Sequence, residues 1–349
     1  MRRGNCAGAM QYVPELTWIL FLRILDEKER HEEQEAEALG INFRPSLESP
    51  YRWQDWAQPP ETLPDGQMNK RAELQDAPQG SLFAFVNGQL LPYLKELKNQ
   101  PDATSRQKVI SEIITGVEKV RIDTERNFLD VLDKVHQLSV EAVDPTHVFT
   151  LSQVYEGLLL KMGEKGNDGG QFFTPRQVIK AIVQVVDPKP GETVYDPSCG
   201  TGGFLAQSYE HIRSGLGQTT SAEQLETMKT QTFWGREKEN LIYPIALANL
   251  VLHGIDKPNL WHGNTLTGME LYGGLFEGAP QFFDVILTNP PFGGEEERGI
   301  LNNFPEAKQT TETALLFLQM IMRKLKRGPK PGRAGVVVPN GTLFGDGVC

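Results

Sequence analysis

Cysteine is scarce in this sequence. The three present, Cys6, Cys199 and Cys349, are far apart and odd in number. That excludes a disulfide framework or a cysteine-built zinc site, and no metal is expected; a reducing cytosol fits best. No uninterrupted apolar run approaches the roughly 20 residues that a spanning helix needs, so no membrane role is expected. Met1-Arg2-Arg3 is followed by Gly, Asn and Cys rather than by an apolar stretch, so no secretory signal is read. Positive charge is also short: 35 Lys and Arg stand against 45 Asp and Glu, a formal charge of −10. Many stand-alone nucleic-acid binders are basic because phosphate contacts dominate their affinity. An acidic chain that works on DNA would draw much of its grip from a partner or from a local basic groove. The dinucleotide spacing Gly-x-Gly-x-x-Gly, the P-loop Gly-Lys-Ser/Thr and internal repeats are absent as well.

What remains is an ordinary globular composition, 39% hydrophobic and 23% charged over 349 residues, enough for two domains. Residues 1–150 read as a helical domain. Tyr12, Leu16, Ile19, Leu20, Leu22, Ile24 and Leu25 fill a helix apolar on most faces. It runs on into the charged stretch 26–33, read as a solvated extension. Residues 41–80 look irregular, and Trp53 and Trp56 read as core more readily than as a contact surface. Further helices are expected over 88–98, 105–120 and 124–139, then one carrying Val148, Leu151, Val154, Tyr155, Leu158 and Leu159. The glycine-rich stretch 163–170 reads as a linker or lid. Beyond it, within residues 151–349, short apolar strands alternate with helical patterns. This implies βαβ units and a doubly wound, mostly parallel sheet. Strands are expected near 193–196, 232–236, 259–262, 283–288 and 334–338, with helices over 175–186, 203–213, 241–253 and 311–326.

Three of these strands end in residues suited to chemistry. The fourth, Phe283-Asp284-Val285-Ile286-Leu287-Thr288, stops at Asn289-Pro290-Pro291-Phe292. Consecutive prolines cannot join a ladder, so Asn289 is held at a carboxyl strand end, where open α/β sheets bind ligands. Its amide offers an acceptor and two donors, and Phe292 offers a flat apolar face: a hook for a planar amide or a nucleobase. A plain proline turn is the competing reading. The first strand ends in Asp196-Pro197-Ser198-Cys199-Gly200-Thr201-Gly202-Gly203 and enters a helix, whose free N–H groups suit a ligand; a tight structural turn competes. Cys199 reads as a buried filler. The second strand ends at Glu237, where nucleotide-type sites grip ribose hydroxyls. After the third, Asn264 suits either a purine edge or a turn cap. His253 and His262 read as structural. Upstream, Thr174 reads as a helix N-cap with Pro175 at the first helical position. The aromatic pair before it could fold over a ligand or pack in a core.

Asp196 to Leu205, followed by Asn289-Pro290-Pro291-Phe292, resembles the N6-adenine DNA methyltransferases, in the order of their gamma arrangement. Gln171-Phe172-Phe173-Thr174-Pro175-Arg176 and the helical first domain narrow this to the modification (methylase) subunit of type I restriction–modification systems. The resemblance runs from about Tyr12 to the end. It implies a Rossmann-like class I methyltransferase domain and S-adenosyl-L-methionine as cofactor. Residues Gln171, Phe172, Phe173, Thr174, Pro175 and Arg176 would lie along it, beside Asp196 and Gly200. Thr201, Gly202 and Gly203 would meet its methionine part, Glu237 its ribose, and Asn264 its adenine. Relatives commonly place Asp at position 264. Asn289, Pro290, Pro291 and Phe292 would hold the extruded adenine. The implied partners are double-stranded DNA, a DNA-specificity subunit, a restriction (motor/nuclease) subunit and a second copy of this chain, in the cytoplasm.

Folds of this family usually continue with two more strands and a helical tail, so the sheet is expected to be truncated after the fifth strand. An RNA or protein-glutamine N-methyltransferase, or a non-catalytic scaffold of the complex, are the alternatives. No separate domain that would read a DNA target is visible.

Overall fold

The computed structural model describes residues 9–62, 66–137, 174–217, 220–267, 274–292, 296 and 298–344. The helix expected from Val148 to Leu159, the glycine stretch 163–170, Gln171, Phe172 and Phe173 lie outside these residues, as do Gly293, Gly294, Glu295 and Glu297. The chain divides into two compact units, Met1–Gly169 and Gly170–Cys349.

The first unit is helical: α1 (Ala9–Ala38), α2 (Trp53–Trp56), α3 (Lys70–Asp76), α4 (Ser81–Phe85), α5 (Leu91–Glu96), α6 (Ser105–Ile114) and α7 (Glu125–His136). A π-helical turn, Val86–Leu90, joins α4 to α5, so the helix expected over 88–98 starts earlier than its apolar pattern suggests. Helix α6 stops at Ile114, ahead of Gly116, rather than at 120. The core is aromatic. Trp53 and Trp56 are buried, and Trp56 stacks on Trp18 and Phe128 at 6.4 and 6.5 Å between ring centroids. Their burial settles them as core residues. Two expectations change here. The stretch 41–80 carries α2 and α3, with Asn69 capping α3 through the Ala72 N–H. The charged extension of α1 is not fully solvated: Asp26 and Glu29 are buried. The Glu29 carboxylate accepts the Ser46 N–H at 3.1 Å and pairs with Arg106 at 3.3 Å. Buried charges need such partners.

The second unit is a three-layer α/β fold. Its strands are β1 (Val194–Asp196), β2 (Phe233–Glu237), β3 (Asn259–His262), β4 (Val285–Thr288) and β5 (Arg333–Val336). All pair in parallel, in the order β3-β2-β1-β4-β5. Its helices are α8 (Arg176–Val186), α9 (Gly203–Ser214), α10 (Ala222–Thr230), α11 (Ile242–Leu252), α12 (Arg298–Leu301), α13 (Thr313–Lys324) and α14 (Asn340–Phe344). Every residue of β1, β2 and β4 is buried, as expected of strands covered on both faces. Residues α8, α9 and α11 present cover one face: Ile179 lies against Gly203, Leu205 against Gly235 and Leu250 against Gly202. On the other face Tyr195, Trp234, Phe276, Phe283 and Ile286 pack against Leu316, Phe317, Met320 and Ile321 of α13. This is the Rossmann-like arrangement expected, with every strand placed within a residue or two.

The strand order decides where a ligand can sit. The chain leaves β1 towards β2 and β3, then returns to β4 on the other side of β1. The crevice of such a sheet opens at the carboxyl ends of the two strands where direction reverses, β1 and β4. Asp196 ends one, and Asn289 follows the other.

Candidate active site

Four hydrogen bonds tie the ends of β1 and β4 into one unit. The Asp196 carboxylate accepts the Ser198 N–H at 3.1 Å and the Thr288 hydroxyl at 2.7 Å. The Thr288 proton is thus committed to Asp196, so the Ser198 hydroxyl, 2.8 Å from Thr288 Oγ1, must be the donor between them. It also reaches the Asn289 carbonyl at 3.4 Å. Asp196 is 1% exposed, and burial pushes its carboxyl up to about 7, with the nearby Glu237 charge adding to the rise.

Glu237 belongs to the same cluster. Its carboxylate accepts the Gly200 N–H at 2.8 Å and the Glu239 N–H at 2.7 Å, while burial raises its pKa. The tip of β2 therefore holds the glycine turn in shape. Two buried carboxylates beside one crevice disfavour each other's charge and suit a cationic ligand. Cys199 is buried and its thiol is pushed well above its usual range by burial, which fits a filler and not a nucleophile.

The glycines of the turn answer partly to packing. Gly202 adopts φ +81°, and a Cβ there would come within 3.1 Å of Leu250. A Cβ on Gly203 would meet Ile179 at 2.9 Å. The turn can thus lie close under α8 and α11 while α9 starts at Gly203 and aims its first N–H groups at the crevice. Asn249, buried in the otherwise apolar α11, donates to the Thr201 carbonyl at 2.8 Å and pins the loop from behind.

The Asn289 amide is held at one end only. Its Nδ2 donates to the Thr174 hydroxyl at 3.0 Å. Its Oδ1 is shielded from solvent and accepts no hydrogen bond among the described residues. Such a buried acceptor is costly, by about 1–3 kcal/mol, and calls for an explanation. Thr174 does not cap the helix as expected: α8 begins at Arg176, Pro175 is the N-cap, and no side chain caps it. A Pro175 ring at the boundary moves the cap along by one and leaves the Thr174 hydroxyl to Asn289. Pro290 is buried, whereas Pro291 and Phe292 are exposed, Phe292 by 52%.

Asn264 is engaged at both ends. Its Oδ1 accepts the Leu266 N–H at 2.9 Å, the turn cap anticipated, and its Nδ2 donates to Glu296 at 3.1 Å. Thr265 next to it donates to the Pro197 carbonyl, joining the β3 loop to the β1 turn. His253 is buried with Nδ1 2.7 Å from the Asn249 carbonyl, and burial lowers its pKa to about 4; His262 stacks on Tyr243. Both act in structure. Ser198, Thr288 and Asn249 were missed as functional positions. Thr288 carried a signal: a hydroxyl in a fully buried strand, directly ahead of the hook, needs a partner.

The residues gathered here match a known family. Residues 147–348 match the family described as N-6 DNA Methylase, and residues 2–135 match the HsdM N-terminal domain. The type I restriction enzyme EcoEI methylase subunit of Escherichia coli is 37% identical over 98% of this chain, which spans 63% of that relative. The EcoKI methylase subunit of Escherichia coli K12 is 37% identical over 56% of this chain and 36% of its own length. Among solved structures, a modification subunit of a putative type I restriction enzyme from Vibrio vulnificus YJ016 superposes with a TM-score of 0.77 at 40% identity, covering 97% of this chain and 68% of that one. The chain thus spans less than two thirds of those methylase subunits. With the hook, the glycine turn and both matched regions in their expected order, the chain belongs to the N-6 DNA methylase family and is a relative of type I modification subunits.

Proposed function

We propose that this chain carries the methyl-transfer machinery of a type I modification complex, moving a methyl group from S-adenosylmethionine to N6 of adenine in double-stranded DNA. The observation that carries the reading is Asn289 Oδ1, a buried acceptor at the switch point of the sheet with no partner among the described residues. Adenine's amine has two hydrogens and a lone pair delocalised into its ring. Asn289 Oδ1 and the Pro290 carbonyl would accept those hydrogens and favour a tetrahedral nitrogen, so positioning and hydrogen bonding do most of the work. Phe292, already exposed, would stack on the extruded base. A base reaches Oδ1 only once the groups shielding it withdraw.

The cofactor would supply an electrophilic methyl on a positively charged sulfur. The buried pair Asp196 and Glu237 fits that charge. Gly200, Thr201, Gly202 and Gly203 would hold the methionine part at the start of α9. Glu237 would turn its remaining lone pairs to the ribose, Asn264 Oδ1 its second lone pair to the adenine, and residues 171–176 would close along the cofactor. Residues 1–150 would serve DNA and partner contacts and residues 151–349 the transfer. A specificity subunit, a restriction subunit and a second copy of this chain would complete a cytoplasmic assembly. No helix among the described residues is long and apolar enough to cross a membrane.

The test uses the full-length protein with its specificity subunit and labelled S-adenosylmethionine. Label is expected on adenine of duplex DNA. Label on RNA or on protein glutamine instead overturns the reading.

A further inference from the structure

The loop after β3 presents Asn264, whose side chain has two unlike ends. A carboxylate offers two equal acceptors, whereas a carboxamide offers an acceptor at one end and a donor at the other. Which end meets a ligand is decided by the partners that hold the amide. The backbone around Asn264 is pinned first. The Gly263 N–H donates to the Glu237 carbonyl at 2.8 Å, and the Thr265 hydroxyl donates to the Pro197 carbonyl. The Thr267 hydroxyl donates to the Asn264 carbonyl at 2.8 Å. These bonds set Asn264 beside the tips of β1 and β2.

Two partners then fix the amide. The Leu266 N–H can only donate, and it meets Oδ1 at 2.9 Å. The Glu296 carboxylate accepts from Nδ2 at 3.1 Å. Both contacts demand the same orientation. Turning the amide over would set Nδ2 against a donor and Oδ1 against a carboxylate, two mismatches in a partly buried place. The two partners differ in origin. Leu266 belongs to the turn itself, while half-buried Glu296 arrives from the segment between Phe292 and α12. Capping the turn needs only the Leu266 bond, so the Glu296 bond adds something that the turn does not require. Among the described residues, the pair leaves one lone pair on Oδ1 and one hydrogen on Nδ2 for a ligand.

We infer that Glu296 is a positioning residue that sets the purine specificity of the cofactor site by fixing the polarity of the Asn264 amide. The inference rests on the methyl-transfer reading above, in which Asn264 meets the purine of the cofactor. With the amide held this way, Oδ1 accepts a hydrogen of adenine's 6-amino group and Nδ2 donates to N1. Hypoxanthine, with an oxygen at position 6 and a hydrogen on N1, presents the reverse pattern. It matches only the turned amide, which Glu296 opposes. A site built to hydrogen-bond one pattern rejects the other because its own polar groups are left unpaired. Glu296 acts through Asn264 and does not itself touch the ligand.

The test measures dissociation constants of S-adenosylhomocysteine and of its deaminated analogue S-inosylhomocysteine for the full-length protein and two variants. The parent is expected to favour the adenosyl compound by about 100-fold, roughly tenfold for each mismatched hydrogen bond. Glu296→Gln keeps the size of the side chain, but its amide can serve either orientation of Asn264. Glu296→Ala removes the contact altogether. Each variant should lower the preference by about tenfold, chiefly by gaining affinity for the inosyl compound, and the Leu266 mismatch accounts for what is left. A merely structural role would weaken both compounds together and leave their ratio unchanged. A parent that does not bind S-adenosylhomocysteine overturns the methyl-transfer reading and this proposal with it. A parent that binds it, with a ratio that neither variant moves, overturns the proposal alone.

Discussion

Replacing Asp196 by Asn tests the network that joins the two strand ends. Asp196 has an ordinary carboxyl value of 3.8, raised to about 7 in the fold by burial, then by the Glu237 charge. The sign follows from proton linkage. The folded state holds the proton more tightly than the unfolded state, so the group's contribution is fully present below pH 3.8 and is lost as pH rises through about 7. Ionising it inside the fold costs up to about 1.4 kcal/mol per pH unit over that window, roughly 4 kcal/mol in all. An Asn oxygen can still accept from the Ser198 N–H and the Thr288 hydroxyl, so the network keeps its geometry. Any penalty for the new amide hydrogens is independent of pH. The informative quantity is therefore the difference in denaturation midpoint between parent and Asp196→Asn, followed from pH 4.5 to 8.5. It should move steadily in favour of the variant up to about pH 7 and then level off. A difference that stays flat across that range refutes the raised carboxyl and the buried network built on it.

Three further outcomes follow from the same geometry. Thr174→Val removes the acceptor that orients the Asn289 amide and should lower kcat by roughly tenfold, one neutral hydrogen bond, while Thr174→Ser keeps it; equal kcat for Val and Thr would contradict the orienting role. Gly202→Ala forces φ +81° on a side chain 3.1 Å from Leu250 and should cost about 1–3 kcal/mol in unfolding experiments, so an unchanged midpoint counts against the turn as described. Phe292→Ala removes an exposed ring and should leave thermal stability unchanged but reduce kcat/KM for DNA by about 5–150-fold, the value of one base stack. Full retention of kcat/KM would end its stacking role.

The sheet was legible because β1, β2 and β4 are buried on both faces and so read as short apolar runs between glycine and proline breaks. The strand order was not, since neighbours such as β1 and β4 come from distant segments whose pairing leaves no local mark. Helix α10 was overlooked because only Met228 is buried along it and periodicity is faint, although Ser221 and Gln224 form a capping box. The hook and the glycine turn were visible as motifs because proline and glycine constrain backbone directly. Asn249 was not: within the apolar run of α11 it reads as a single polar interruption, and only the fold shows its amide under the Thr201 carbonyl. The charge run after Leu25 misled for a similar reason. Burial of Asp26 and Glu29 depends on Ser46 and Arg106, which arrive from elsewhere in the chain.

The central claim rests on Asn289 Oδ1, a buried amide acceptor at the switch point of the sheet that has no partner among the described residues. The most direct measurement is N6-methyladenine formed in duplex DNA by the assembled complex, comparing the parent chain with Asn289→Ala, while S-adenosylmethionine affinity is measured on the same preparations. The account predicts that methyl transfer is nearly abolished and cofactor affinity is largely kept. Transfer persisting at the parental rate, or lost only together with cofactor binding, would contradict it.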